Sequence, residues 1–217
     1  MIASCLINII KSTAKGIGVC FSYLIPEKVP EFFRVLFSYM YTGYVRKRFQ
    51  HLGNNSLIAY KAYIKGADCI TIGEGTVFFR GARLTTNHST ITKDPPKLSI
   101  GSNCEFGNNN HITCINSISI GDNLLTGSNV LITDNAHGAS TQEQMALPPK
   151  SRPLYSKGGV TIGNNVWIAD NVCILPNVHI GNHVIIASNS VVTKDIPDFS
   201  IAAGAPASII KKLDSNE

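Results

Sequence analysis

A triangular solenoid of parallel β-strands is the fold class that this 217-residue sequence predicts, and three observations predict it. An aliphatic residue returns every six positions over long stretches. Asn or Gly stands at the fourth place of most of these hexads. Each break in the repeat falls at one phase of a three-hexad cycle.

The plainest run starts at Ile162 and reads IGNNVW, IADNVC, ILPNVH, IGNHVI, IASNSV and VTKDI. Upstream sets of three open at Leu52, Ile58 and Ile64, then Ile72, Phe78 and Leu84. Two more open at Ile100, Phe106 and Ile112, and at Ile120, Thr126 and Ile132. Of these eighteen hexads seventeen open with an apolar residue, eleven carry Asn at the fourth place and two carry Gly, so chance is excluded. Asn and Gly tolerate positive φ, which makes the fourth place a sharp turn. The fifth place and the next first place lie two apart, on one side of a short strand, and should point inward. The sixth lies between them and should point outward. Three such units complete one turn of a prism whose coils stack.

The sets begin at 52, 72, 100, 120, 162 and 180, so successive spacings exceed eighteen residues by 2, 10, 2, 24 and 0. Every insertion therefore follows the third face. Loops gathered on one edge of a rigid solenoid are where function concentrates, and 87–99 and 138–161 are the two long ones. The expected organisation is a helical extension over 1–51, the β-helix over 52–196, and a C-terminal cap with a short helix over 197–217.

Within the extension, MIASCLINIIKSTAKGIGVCFSYL is broken by Lys11 and Lys15, too polar for a membrane span and poor as a signal peptide. EFFRVLFSYMYTGYVRKRF (Glu31 to Phe49) has apolar residues near helical spacing and ends in Arg46, Lys47 and Arg48. It reads either as a helix capping the first coil or as a peripheral membrane contact.

Charged residues are only 15% of the chain and the formal net charge is +5, which suits an anionic small molecule or a membrane surface. No dense basic stripe with interleaved aromatics appears, so nucleic acid is not an expected partner. The six cysteines show no paired spacing, which suggests neither a zinc site nor a disulfide framework, and points to reduced thiols in the cytoplasm.

His137 is the candidate for chemistry. It is the sixth residue of ITDNAH, the outward phase, at the edge of the largest insertion. The plain alternative is a surface histidine. An imidazole, with a reference pKa of about 6.5, can accept a hydroxyl proton near neutral pH. His179 ends ILPNVH at the same phase one coil later, which leaves room for the two rings to stack about 5 Å apart, and it reads mainly as a surface residue or one lining the site. Asp134 reads as a turn residue rather than a partner that orients His137. Trp167, the sole tryptophan, is outward in IGNNVW, placed either to stack on a ligand ring or to contact another copy of the chain.

VTIGNNVWIADNVCILPNVHIGN, followed by ASNSVVTKDIP and AAGAPASIIKK, resembles the maltose, galactoside and polysaccharide O-acetyltransferases built from hexapeptide repeats. The resemblance covers about residues 52–213. It implies a left-handed coil, a homotrimer, acetyl-CoA lying between neighbouring prisms, and His137 as general base, with no metal. It places Asn109 and Trp167 against the acceptor, and Gly127, Ala169, Ser188, Thr193, Lys194 and Lys211 against CoA. RPLYSKGGVTIG leans toward enzymes that acetylate bacterial surface polysaccharides. Asn109 is also a turn residue, and both readings of it stand. Two alternatives use the same scaffold: a zinc enzyme of the γ-carbonic anhydrase type, suggested only by His179 and His183 in HIGNH, and a purely structural β-helix.

Overall fold

Backbone with φ near +60° is what makes the corners. In a computed structural model describing residues 2–24, 28–88 and 94–213, Asn55, Asn103, Asn109, Asn123, Asn129, Asn165, Asn171, Asn177 and Asn189 all adopt it. Gly75, Gly81, Lys61 and His183 fill the equivalent places. The turn disappears where an insertion leaves the prism. Asn87, Ile115 and Asn135, each at a third corner, are not left-handed, and neither is Asp195, where the last coil is instead two residues short and Ile196 pairs with Ile180. Asn177, at the third corner with no insertion, is left-handed.

Between corners run three faces with six parallel strands each, the second continued by two further strands at the C-terminal end. In face one Leu52, Ile72, Ile100, Ile120, Ile162 and Ile180 stand in register. Face two aligns Ile58, Phe78, Phe106, Thr126, Ile168 and Ile186. Face three aligns Ile64, Leu84, Ile112, Ile132, Ile174 and Val192. These eighteen first-place residues are the ones the six-residue period selects, and all are buried. Fifth-place side chains such as Leu124, Val130, Val166, Val172 and Val184 complete the core, whose Phe78 and Phe106 rings stack 4.4 Å apart. Thr126, the one polar first-place residue, is 4% exposed; its hydroxyl accepts from the Gly107 amide at 3.1 Å and from the Asn110 amide group. Burial without loss of hydrogen bonding explains the exception.

Corners also bond along the prism axis. At the second corner the side-chain amide of Asn109 donates to Asn129, Asn129 to Asn171 and Asn171 to Asn189, over 3.0–3.3 Å. At the first corner the amide N–H groups of Ser102, Asp122, Asn164 and Asn182 donate to the side-chain oxygens of Asp122, Asn164, Asn182 and Asp198 in turn, over 2.7–2.8 Å.

Contacts divide the chain into Met1–Phe37 and Ser38–Glu217. The first unit holds helix α1 (Ile2–Leu24) and the start of α2 (Lys28–Val45). In the second, the end of α2 closes the first coil. The Thr42 hydroxyl accepts from the Ile58 amide at 2.9 Å, the Tyr41 hydroxyl donates to the Ala62 carbonyl at 2.8 Å, and Val45 and Phe49 enter the core.

At the far end the expected short helix is not formed among the described residues. Ser200–Gly204 and Ala207–Lys212 are antiparallel strands that extend face two. The β-branched pair Ile209–Ile210 favours extended backbone, and Gly204 at φ +106° with Pro206 makes the reversal. Residues 214–217 lie outside the described residues, as do 89–93 of the 87–99 loop.

Candidate active site

The 24-residue insertion begins at a stapled corner. The Asp134 side chain, 0% exposed, accepts from the amides of Ile115 at 2.9 Å and Asn116 at 2.8 Å, one coil below. Asn135 donates to the Thr113 carbonyl at 3.1 Å and to Asp134 at 3.0 Å. Asp134 is thus a positioning carboxylate spent on one buried and one half-buried backbone donor where coil three was interrupted. The same carboxylate lies beside the Cys114 thiol, whose pKa is pushed well up, by burial first and by Asp134 second.

From that staple the chain leaves the prism. Ala136–His137 pairs antiparallel with Leu154–Tyr155, placing His137 opposite Leu154. Gly138 follows at φ +85°, its amide donating to the Pro153 carbonyl at 2.9 Å. A side chain there would sit 2.9 Å from Arg152 Cδ, so both conformation and space require glycine. Arg152 donates to the carbonyls of Leu147 and Met145 at 2.9 and 3.0 Å, holding the end of a short helix, α3 (Gln142–Ala146). Thr141 caps that helix by accepting from the Gln144 amide. The Oε1 of Gln144 is buried without a donor among the described residues and lies close to Gly138.

His137 is therefore exposed on a paired arm outside the third corner. It does not continue face one, as the outward phase suggested. The stack with His179 is accordingly not formed: His179 sits on face one above Thr161, in register with it, whereas His137 pairs within the insertion. The hexad phase failed one residue past Asp134, because Asn135 is not left-handed and the corner opens into the arm.

The other candidates fall elsewhere. Asn109 stands at the second corner, a left-handed turn residue bonded into the asparagine ladder. Gly127, Ala169 and Ser188 follow the same edge upward through coils four, five and six. Gly127 lies so close to the next coil that a Cβ would meet Asp170 Oδ1 at 2.5 Å, which explains glycine without any ligand. Trp167 is 49% exposed on face two, between Leu125 and Ile185. Thr193 and Lys194 are exposed just after face three of the last coil, and Lys211 is exposed on the C-terminal strand opposite Ile201. One chain thus places His137 at the third corner, and Asn109 with three of the six expected CoA residues along the second. It does not bring the two groups together.

Sequence reasoning missed the Asp134 staple, the Arg152 clamp and α3. Thr141 and Gln144 three residues on are a capping-box spacing that would have found the helix. The HIGNH pair forms no ligand set among the described residues: His183 is a first-corner turn whose ring stacks on Phe199 at 4.6 Å, and His179 is outward on face one. The trio whose ligand atoms do lie within 4.8 Å of one another is Asp68, Cys69 and His88, at the third corner of the first two coils.

Residues 159–194 match the bacterial transferase hexapeptide family (six repeats). Over 163 residues the chain is 35% identical to an Escherichia coli (strain K12) protein named for O-acetyl transfer in lipopolysaccharide biosynthesis, covering 73% of this chain and 80% of that one. It is 34% identical over 139 residues to the galactoside O-acetyltransferase of the same organism, covering 61% and 66%. Among solved structures, the Bacillus cereus N-acyltransferase AntD, in complex with dTDP and 3-hydroxybutyryl-CoA, superposes with a TM-score of 0.65 over 80% of this chain and 88% of that one. At 21% identity it speaks for the fold alone. Six registered coils, insertions confined to one corner and the match to the lipopolysaccharide relative agree: the chain belongs to the hexapeptide-repeat O-acetyltransferases, with their left-handed parallel β-helix.

Proposed function

We propose that this acyltransferase moves acetyl from acetyl-CoA to a sugar hydroxyl of a bacterial surface polysaccharide or its precursor, with His137 as the general base. The observation that carries the assignment of the base is the exposed, strand-paired arm that presents His137 at the mouth of the longest loop. The neutral imidazole takes the hydroxyl proton as the sugar oxygen attacks the thioester carbonyl. A backbone N–H holds the tetrahedral oxyanion. Collapse breaks the C–S bond, and the CoA thiolate leaves with the proton that the imidazolium returns. Nothing covalent to the protein forms.

The active assembly in this reading is a homotrimer in the cytoplasm. His137 and the edge carrying Asn109, Gly127, Ala169 and Ser188 belong to different corners of one prism, and a neighbouring copy turned by threefold symmetry would bring a third corner against a second. CoA then lies along the small residues of that edge, with Thr193, Lys194 and Lys211 toward its phosphates, while Asn109 and Trp167 meet the acceptor. The acceptor class rests on the name of the Escherichia coli relative and on the loop sequence that leads into Val160. Incubation with acetyl-CoA and a panel of free sugars, oligosaccharides and lipid-linked glycans, following thiol release, tests it. Glycan-dependent release and an acetylated product support the reading, and thiol release that no hydroxyl acceptor stimulates rejects it.

A further inference from the structure

The charge of this protein is not spread over it. Residues 1–50 hold seven Lys and Arg (Lys11, Lys15, Lys28, Arg34, Arg46, Lys47, Arg48) against two acids, Glu27 and Glu31, while residues 51–217 hold twelve of each sign. The whole formal charge of +5 therefore sits in the extension, and the solenoid is neutral.

Helix α1 (Ile2–Leu24) has no acidic residue. Asn8, Lys11, Ser12, Lys15 and Ser22 recur at three- and four-residue steps, and so share one side of the helix. Ile7, Ile9, Ile10, Ile17, Cys20 and Phe21, with Thr13 among them, fill the remaining, wider side, and Val19 falls on the polar one. These apolar side chains are exposed; Ile10 is 59% and Phe21 54% accessible. The start of α2 adds exposed Phe32, Phe33 and Phe37, but its Arg34 is paired with Glu31, so among the described side chains of these two segments the unpaired positive charge lies on α1. Exposed apolar surface on this scale marks an interaction site rather than chance.

We propose that α1, with the start of α2, docks this enzyme on an anionic lipid bilayer, with α1 lying in the plane of the interface. Its apolar side enters the acyl boundary and Lys11 and Lys15 stay at the headgroups. At 23 residues α1 is about 34 Å long, enough to cross a hydrocarbon core of about 30 Å. Two lysines near its middle oppose that course, and no described helix is apolar enough to span. The charge decides between partners. A second copy of this chain would bring the same positive helix against itself, whereas an anionic surface is complementary to it.

Flotation of the full-length protein with phosphatidylcholine vesicles, and with vesicles a quarter phosphatidylglycerol, tests the docking without reference to acetyl transfer. Binding is expected on the anionic vesicles, weakening with salt. Ile10→Glu with Ile17→Glu is expected to lower it at least tenfold at unchanged solenoid unfolding, and each of Lys11→Glu and Lys15→Glu to lower it about fivefold or more. No binding at any anionic content overturns the proposal. So does an isoleucine pair that changes the oligomeric state but not vesicle binding, which would make the helix a contact between copies. Because the readout is binding, failure here leaves the acetyltransferase reading intact, and failure of acetyl transfer leaves this one intact.

Discussion

Asp134 shows why a buried charge can sit beside a catalytic candidate without sharing its chemistry. Its side chain is occupied by the Ile115 and Asn116 amides and by Asn135, and none of these contacts reaches His137. Asp134→Ala would remove the acceptor of one buried and one half-buried backbone donor, so the unfolding free energy should fall by about 2 kcal/mol in urea titrations, with activity falling alongside as the arm loses its anchor. Unchanged stability would show that the staple is dispensable. Asn109 makes the converse point. Its turn geometry and ladder bond account for asparagine there, so Asn109→Gly separates the two readings. A KM for the acceptor that rises at preserved stability supports contact with the sugar, and an unchanged KM limits Asn109 to the turn.

At the scale of the coil, stability resides in repeated corners. Asn171→Ala should cost about 1–2 kcal/mol, since a Cβ-bearing residue without a polar side chain is forced to φ +58°, whereas Asn171→Gly should cost less; a denaturation series on both checks the order. Asp198 ends the first-corner ladder. The Asn182 amide, and next the Asn182 side chain, hold its carboxyl below the usual carboxylate range. A depressed folded pKa means that the stabilisation is complete above the unfolded value and is lost as pH falls through the folded one. Asp198→Asn should therefore flatten the acid limb of the stability profile of the last coils, as followed by thermal melts between neutral pH and pH 3. These elements were legible because the hexad is local: the first place, the left-handed fourth place and the insertion corner are all read from spacing. The C-terminal hairpin was not, because AAGAPASIIKK carries no hexad and its strand is decided by pairing with face two. The arm of His137 was not either, because antiparallel pairing across sixteen intervening residues leaves no period.

The whole molecule couples a neutral prism to a positive extension and splits its candidate site between two of its corners. If the site closes only between copies, light scattering should give about three times the 23.4 kDa chain mass, and a monomeric active species would refute the shared site. The placement of His137 at the insertion corner was legible from the phase of the insertions, while the role proposed for it came from resemblance, since an exposed imidazole with no partnering carboxylate among the described residues carries no chemical signature of its own. The central claim is therefore tested most directly by steady-state thiol-release kinetics of His137→Ala beside His179→Ala. His137→Ala is predicted to lower kcat/KM by about 10²–10⁴, with CoA binding and the unfolding midpoint retained, while His179→Ala loses far less. A His137→Ala enzyme that keeps most of its activity, or a larger loss at His179, would contradict the account.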